Sequence, residues 1–154
     1  MIKSNYLILS GLYFDFNDDL TEIKEIKALF ENQNILDIFR FDKIKSIKKS
    51  QFMKKKLNFI YLSKNIEKIE LSAFLNNKIE ILDLSNCINL KVINENAFEK
   101  NPLNEIKILD NINIEYYKYL KNDLWTKFVI YYNDTDKKSG DYKLENDEWK
   151  WYPL

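Results

Sequence analysis

Few side chains in this sequence could carry out covalent or metal chemistry. The 154 residues include no histidine and a single cysteine, Cys87. These absences exclude Ser-His-Asp and Cys-His nucleophile pairs, histidine-ligated zinc, an intrachain disulfide and a histidine pH switch. The 24 acidic residues could include an acid–base pair, but no spacing singles one out. We therefore expect a binding protein rather than an enzyme, without cofactor or metal, in which Cys87 is a buried structural thiol.

The residues best suited to bind a macromolecule recur at fixed spacings in the middle of the chain. The first row is Phe59, Ile81 and Glu105, and the second row is Tyr61, Asp83 and Lys107. On adjacent strands, each row would point outward from one sheet face, with strands about 4.8 Å apart. Aromatic and apolar side chains in exposed patches are typical anchors of protein interfaces. We take these six as candidate partner-binding residues; the alternative is an ordinary solvated sheet face.

A repeat of 22 to 24 residues is what would position these rows. Phenylalanines fall at positions 30, 52, 74 and 98, and aligning the last three brings six columns of apolar residues into coincidence. The aligned residues are Ile44, Ile66 and Leu90; Ile47, Ile69 and Ile93; Phe52, Phe74 and Phe98; Leu57, Ile79 and Leu103; Ile60, Leu82 and Ile106; and Leu62, Leu84 and Ile108. One short strand per repeat, joined by an irregular return segment, predicts an α/β solenoid with a parallel strand ladder. An array of amphipathic helices is the alternative, but the 3.6-residue stripe is missing.

Two segments carry a family resemblance. IEKIELSAFLNNKIEILDLSN and LKVINENAFEKNPLNEIKILDN resemble the leucine-rich repeats of bacterial BspA-like surface antigens, with Ala73-Phe74 and Ala97-Phe98 at the A-F signature. Gln51-Phe52 departs from this signature, and the glycine usual before A-F is missing. The resemblance covers about residues 44–113 and implies a short leucine-rich repeat fold.

Residues 1–43 are expected to cap the N-terminal end of the repeats. The apolar run at 6–16 is too short for a membrane span of about 20 residues, and it predicts a strand or a strand pair. A signal peptide is the alternative. Asp19 followed by Glu22 resembles a helix start, and the apolar spacing after it predicts a helix over residues 20–31. The residues that continue the repeat columns upstream are Phe30, Ile35 and Ile38.

Residues 115–154 are expected to form an antiparallel β cap at the other end. The runs FVIYY, DYKLE and EWKWY, separated by Asn, Asp and Gly, predict two hairpins. The aromatic residues of this segment are Trp125, Tyr131, Tyr132, Tyr142, Trp149, Trp151 and Tyr152. We expect them to form the core of the cap, and an exposed stacking platform for sugars or bases is the alternative.

A lysine cluster precedes the first regular repeat strand. Its members are Lys43, Lys45, Lys48, Lys49, Lys54, Lys55 and Lys56. The sequence has 24 basic residues (Lys and Arg) and 24 acidic residues (Asp and Glu), so its formal net charge is zero. Arg40 is the single arginine. Abundant Lys, Asn and Ile indicate an AT-rich genome, and the family resemblance implies a bacterial one. Because lysine is common throughout such a sequence, we expect this cluster to be a solvated edge. Binding of nucleic acid or anionic lipid, and charge pairing with the acidic stretch at 15–25, are the alternatives.

Together these patterns predict one domain, 1–154, with the repeats at 44–114. We expect a monomer that binds another protein through its strand surface, rather than a nucleic acid or a membrane. The alternatives are a carbohydrate- or cell-surface-binding module that uses the C-terminal aromatics, and a small inhibitor or immunity-type protein. The expected location is the cytoplasm, with the cell surface as alternative.

Overall fold

A computed structural model describes most of the chain. The described residues are 6–9, 12–16, 19, 21, 23–28, 35–37, 42–116, 119 and 122–154. Within these ranges, no helix combines the length and the apolar character needed to cross a bilayer.

The N-terminal segment forms a three-stranded antiparallel sheet. Its strands are β1 (Tyr6–Leu9), β2 (Leu12–Phe16) and β3 (Ile23–Ala28), in that order. The predicted strand pair at 6–16 is confirmed, and the predicted helix over 20–31 is wrong. Phe16 and Ile23 lie opposite each other and are both buried, and the register shifts there because β3 has one extra residue. The apolar spacing that suggested a helix therefore also fits a bulged strand, and pairing with β2 decides between them.

From residue 35 onward, short strands alternate between two parallel sets. They are β4 (Ile35–Asp37), β5 (Ser46–Ile47), β6 (Phe59–Tyr61), β7 (Lys68–Ile69), β8 (Ile81–Asp83), β9 (Val92–Ile93), β10 (Glu105–Ile108) and β11 (Asn113–Ile114). Strands β5, β7, β9 and β11 form one parallel sheet in the order β11-β9-β7-β5. In the other set β4 pairs with β6 and β8 pairs with β10, all in parallel, and β6 lies beside β8. The predicted parallel ladder is confirmed, and a second ladder accompanies it.

The pairing of β4 corrects the upstream alignment. Leu36 pairs with Ile60, whereas the sequence alignment puts Ile38 in that column. Ile35 pairs with Phe59, so the alignment is wrong by two residues there. Ile38 and Phe30 lie outside the described residues.

The aligned apolar columns form the core. All 18 residues of the six columns are buried, with exposures of 6% or less. Phe74 stacks on Phe52 with ring centroids 5.3 Å apart and on Phe98 at 5.1 Å, and the rings are within 7° of parallel. A single column of side chains thus ties the three repeats together, as a shared core requires.

The turns before each phenylalanine stack as well. Ser72 and Asn96, directly before the two A-F pairs, have φ of 56°, in the left-handed region that favours glycine. These are the positions where the family's usual glycine is missing. Phe74 N–H donates to the carbonyl of Ala97 at 2.8 Å, and Phe52 N–H donates to that of Ala73 at the same distance. Each turn is therefore held by the equivalent turn of the next repeat.

The C-terminal segment contains a helix and one hairpin. Helix α1 (Leu124–Asp134) replaces the first predicted hairpin, while β12 (Gly140–Glu145) and β13 (Glu148–Tyr152) form the second. The buried residues Trp125, Phe128, Val129 and Tyr132 share one helical face. The β-branched and aromatic residues of FVIYY favour a strand. Burial of one helical face and the N-cap at Asp123 stabilise a helix instead. β12 pairs antiparallel with β10 and extends its sheet to β13-β12-β10-β8.

Candidate binding surface

The strands β6, β8 and β10 present the six candidate residues on one face. In each strand the outward residues alternate with buried ones: Ile60 in β6, Leu82 in β8, and Ile106 and Ile108 in β10. The outward residues of β8 and β10 are in register, because Ile81 pairs with Glu105 and Asp83 with Lys107. The structure thus brings together the rows that the spacing predicted.

The apolar part of this face is solvent-exposed. Phe59 is 45% exposed, Tyr61 53% and Ile81 43%. They lie on the neighbouring strands β6 and β8, and we refer to them together as the apolar corner. Most large apolar side chains in a folded domain bury more of their surface, so three adjacent exposed ones mark a surface suited to contact.

The charged part of the face is held in a network. Glu105 lies 3.5 Å from the ammonium of Lys107 and 3.9 Å from that of Lys143, and Lys143 lies 3.3 Å from Asp141. The side-chain contact with Asp141 is the largest cause of the raised pKa of Lys143. The negative charge of Asp141 and then that of Glu105 raise this pKa further. Asp83 accepts from the backbone N–H and the hydroxyl of Ser85. Exposed pairs of this kind contribute little to stability, so they order the surface more than they stabilise the fold.

The hairpin contributes residues that the sequence analysis did not place in the surface. Lys143 of β12 pairs with Glu105, Asp141 pairs with Lys107, and Tyr152 of β13 pairs with Asp141. Tyr152 is 41% exposed, with the ammonium of Lys143 6.0 Å from its ring centroid. The alternation of DYKLE and EWKWY indicated outward side chains, but it carried no information on which strand β12 pairs with.

Two residues of the lysine cluster form ion pairs with the following repeat. Lys45 lies 3.0 Å from Glu67, and Lys48 lies 3.7 Å from Glu70. Lys43 reaches Asp19, but it donates to the backbone carbonyl at 3.3 Å rather than to the carboxylate. Hydrogen bonds from Thr21 lower the pKa of Asp19, and the charge of Lys43 is the smallest contribution. Asp19 is the one acidic residue at 15–25 whose side chain is described, and the positive charge of Lys43 acts on it only weakly.

The C-terminal aromatics form a core, as predicted. Trp125, Tyr132, Tyr142 and Trp149 are buried, and Phe128 contacts all four rings at centroid distances of 5.3 to 5.7 Å. The Tyr132 hydroxyl donates to the Leu109 carbonyl at 2.8 Å and accepts from Ile112 N–H at 3.1 Å, which links α1 to the last repeat. Burial raises the pKa of Tyr132 to about 12. This packing removes Trp149 as an exposed sugar-stacking residue.

Trp151 is only partly buried, and its indole Nε1 donates to the Ser139 carbonyl at 3.1 Å. Its ring and the exposed Tyr152 are therefore not part of the closed aromatic core.

The residues with potential reactivity are shielded or dispersed. Cys87 is 1% exposed, so its predicted burial is confirmed, and this burial raises the pKa of its thiol to about 12. In the described part of the chain, no group of three His, Cys, Asp or Glu side chains could hold a metal ion. A cleft of about 410 Å³ lies between α1 and β13, lined among others by Ile130, Tyr131 and Trp149.

Comparison with known proteins identifies the repeat. A model of the BspA-type leucine-rich repeat region matches residues 13–139 in six copies. This match extends beyond the predicted limits of 44–113 in both directions, and it includes most of β2 and all of β3 and α1. Comparisons with curated proteins and with solved structures gave no match. Because the family model covers most of the chain, this protein belongs to the BspA-type leucine-rich repeat family.

Proposed function

We propose that this protein is a non-enzymatic module that binds another protein through the outward face of β6, β8 and β10. Leucine-rich repeat proteins of this type generally mediate protein–protein or surface interactions, and they are generally not enzymes. The observation that carries the proposal is the apolar corner of Phe59, Tyr61 and Ile81, where each side chain is more than 40% exposed.

We further propose a capped solenoid as the frame that carries this surface. The repeats form a short solenoid closed by the N-terminal sheet at one end and by α1 with the β12–β13 hairpin at the other. Stacked phenylalanines and hydrogen bonds between turns support this arrangement, because both continue from one repeat to the next. A surface built on such a frame changes little on association, so little conformational entropy is lost when a partner binds.

The charges beside the apolar corner would select the partner. Asp83 is exposed next to Ile81 and Tyr61, while the charges of Glu105 and Lys107 are already paired with each other. An apolar anchor in the centre with polar groups at its rim is the usual organisation of a protein interface. We therefore assign the anchoring role to the apolar corner and an orienting role to Asp83.

A site-specific crosslink would test the proposal. A photoreactive phenylalanine analogue at Tyr61 should capture the partner in the organism that makes the protein. The same analogue at Tyr119, which is 93% exposed and belongs to none of these strands, is the control and should not capture it.

The captured partner is then titrated against purified variants. We expect Tyr61→Ala with Asp83→Lys to weaken binding at least about tenfold, since each tenfold loss corresponds to only about 1.4 kcal/mol. Ile88→Ala, which alters a residue that is 65% exposed outside the strands, should bind like the unaltered protein. Full affinity in a folded double variant would place the binding site elsewhere.

A further inference from the structure

A buried carboxyl group lies where the last repeat meets α1. Glu99 follows Phe98 in the last stacked turn and is 2% exposed. Its Oε1 has no hydrogen-bond partner among the described residues, and neither has Oγ1 of Thr126, which is fully buried in the first turn of α1. The Thr126 hydroxyl interacts with the carboxyl group and favours its ionised form. That contact lacks hydrogen-bond geometry, so it offsets little of the cost of burying a charge.

The neighbouring carboxylate, Asp123, forms hydrogen bonds on both sides of the junction between the last repeat and α1. Its Oδ1 accepts the backbone N–H of Trp125 at 2.9 Å and its Oδ2 accepts that of Lys100 at the same distance. Asp123 thereby caps α1 and ties it to the turn that contains Glu99. Two carboxyl groups meet here, and only Asp123 has backbone donors for both of its oxygens.

We propose that Glu99 is a proton-controlled latch between the last repeat and α1: the protonated form lets the two pack together, and ionisation loosens the junction. The charged groups that face Glu99 come from both packed elements: Asp123 from the start of α1, and Lys100 and Glu95 from the same repeat turn. The two acids oppose ionisation of Glu99 and the lysine favours it. Lys100 is exposed, so solvent weakens its contribution.

The electrostatics of the site agree with this role. Burial, and then the charge of Asp123, raise the pKa of Glu99 from 4.5 to about 7. A carboxyl group whose pKa is higher in the folded state stabilises that state when protonated. This contribution is complete below pH 4.5, declines as the pH rises toward about 7, and is absent above it.

The pH dependence of unfolding tests the latch. For the unaltered protein, we expect the unfolding equilibrium constant to rise by about tenfold or more from pH 5 to pH 8 relative to Glu99→Gln. Glutamine keeps the shape and stays neutral, so the variant should lack this part of the profile. Glu95→Gln, which removes a nearby acid but leaves Glu99, should keep it. Identical pH profiles for the unaltered protein and Glu99→Gln would overturn the proposal.

Two further measurements on the full chain hold even if Glu99→Gln folds poorly. A carbon-13 NMR titration of the Glu99 carboxyl should show a midpoint near 7, and a midpoint below 5 would overturn the proposal. Amide exchange, corrected for its intrinsic pH dependence, should accelerate above pH 7 at Lys100 and Trp125 but not at Phe52. Equal acceleration at all three amides would show that no local junction opens, which would also contradict the latch.

Discussion

The carboxylate of Asp123 accepts the backbone N–H of Lys100 at 2.9 Å, at the position where a further repeat would supply a carbonyl. The equivalent turn residues donate to backbone oxygens instead: Lys54 N–H to Leu75 at 3.0 Å and Asn76 N–H to Glu99 at 2.9 Å. Trp125 likewise takes the place of the next phenylalanine, with its ring 5.0 Å from that of Phe98. The start of α1 therefore makes the contacts with the last repeat that a further repeat would make.

The hydrogen bonds of Asp123 predict the effect of removing its side chain. Asp123→Ala leaves the N–H groups of Lys100 and Trp125 without their acceptors, and we expect a loss of about 1–2 kcal/mol in the free energy of unfolding. Urea titration followed by circular dichroism measures it. Asp123→Asn keeps one acceptor oxygen and should lose less. A destabilisation by Asn as large as that by Ala would argue that charge, not hydrogen bonding, holds the junction.

Buried asparagines support the turns of the repeats. The side-chain oxygen of Asn77 accepts the N–H groups of Lys55 and Leu57, and its amide donates to the carbonyls of Phe52 and Phe74, all within 3.1 Å. Asn101 occupies the same position one repeat later, where it donates to the carbonyls of Phe74 and Phe98.

Asn77→Ala should therefore be strongly destabilising. It leaves several buried backbone groups unpaired, and each such group costs about 1–3 kcal/mol, so we expect a total loss of at least about 3 kcal/mol. The matched control is Asn86→Ala, at an exposed position, which should change the free energy of unfolding by less than about 0.5 kcal/mol. Similar losses in the two variants would refute the role assigned to Asn77.

The left-handed turn at Ser72 predicts a stabilising substitution. A residue with a Cβ at φ of 56° is strained, and glycine is not. Ser72→Gly should therefore raise the free energy of unfolding by up to about 1 kcal/mol, although the greater freedom of glycine in the unfolded chain reduces the gain. Thermal unfolding measures the change. Ser72→Ala keeps the Cβ and should give no gain, so equal effects of the two substitutions would contradict the explanation.

The repeat could be predicted from sequence because its signal is a period. Every aligned apolar residue from Ile44 to Ile108 is buried, since stacking demands the same residue type at the same place in each turn. The outward rows followed from strand alternation alone, so Tyr61 and Asp83 could be placed on one face in advance.

The irregular ends could not be predicted in the same way, because each depends on its contacts. FVIYY favours a strand locally, but packing of Phe128 against Tyr142 and Trp149 stabilises a helix. Residues 23–28 fit either a helix or a bulged strand, and pairing with β2 selects the strand. The role of Asn77 was also missed, although an asparagine three residues after both Phe74 and Phe98 was a signal in the sequence.

The binding face exists only if successive repeats lie in register, and excimer fluorescence between neighbouring strands tests this directly. Pyrene labels on Asp83→Cys and Lys107→Cys would sit on paired residues of β8 and β10 that point to the same face. The native Cys87 is 1% exposed and its thiol has a pKa of about 12, so it should stay unlabelled. We expect strong excimer emission from this pair and none from a control pair, Asp83→Cys with Lys68→Cys, because Lys68 lies in the other ladder. Absence of excimer emission from the first pair in a folded protein would contradict the stacked register and the binding face built on it.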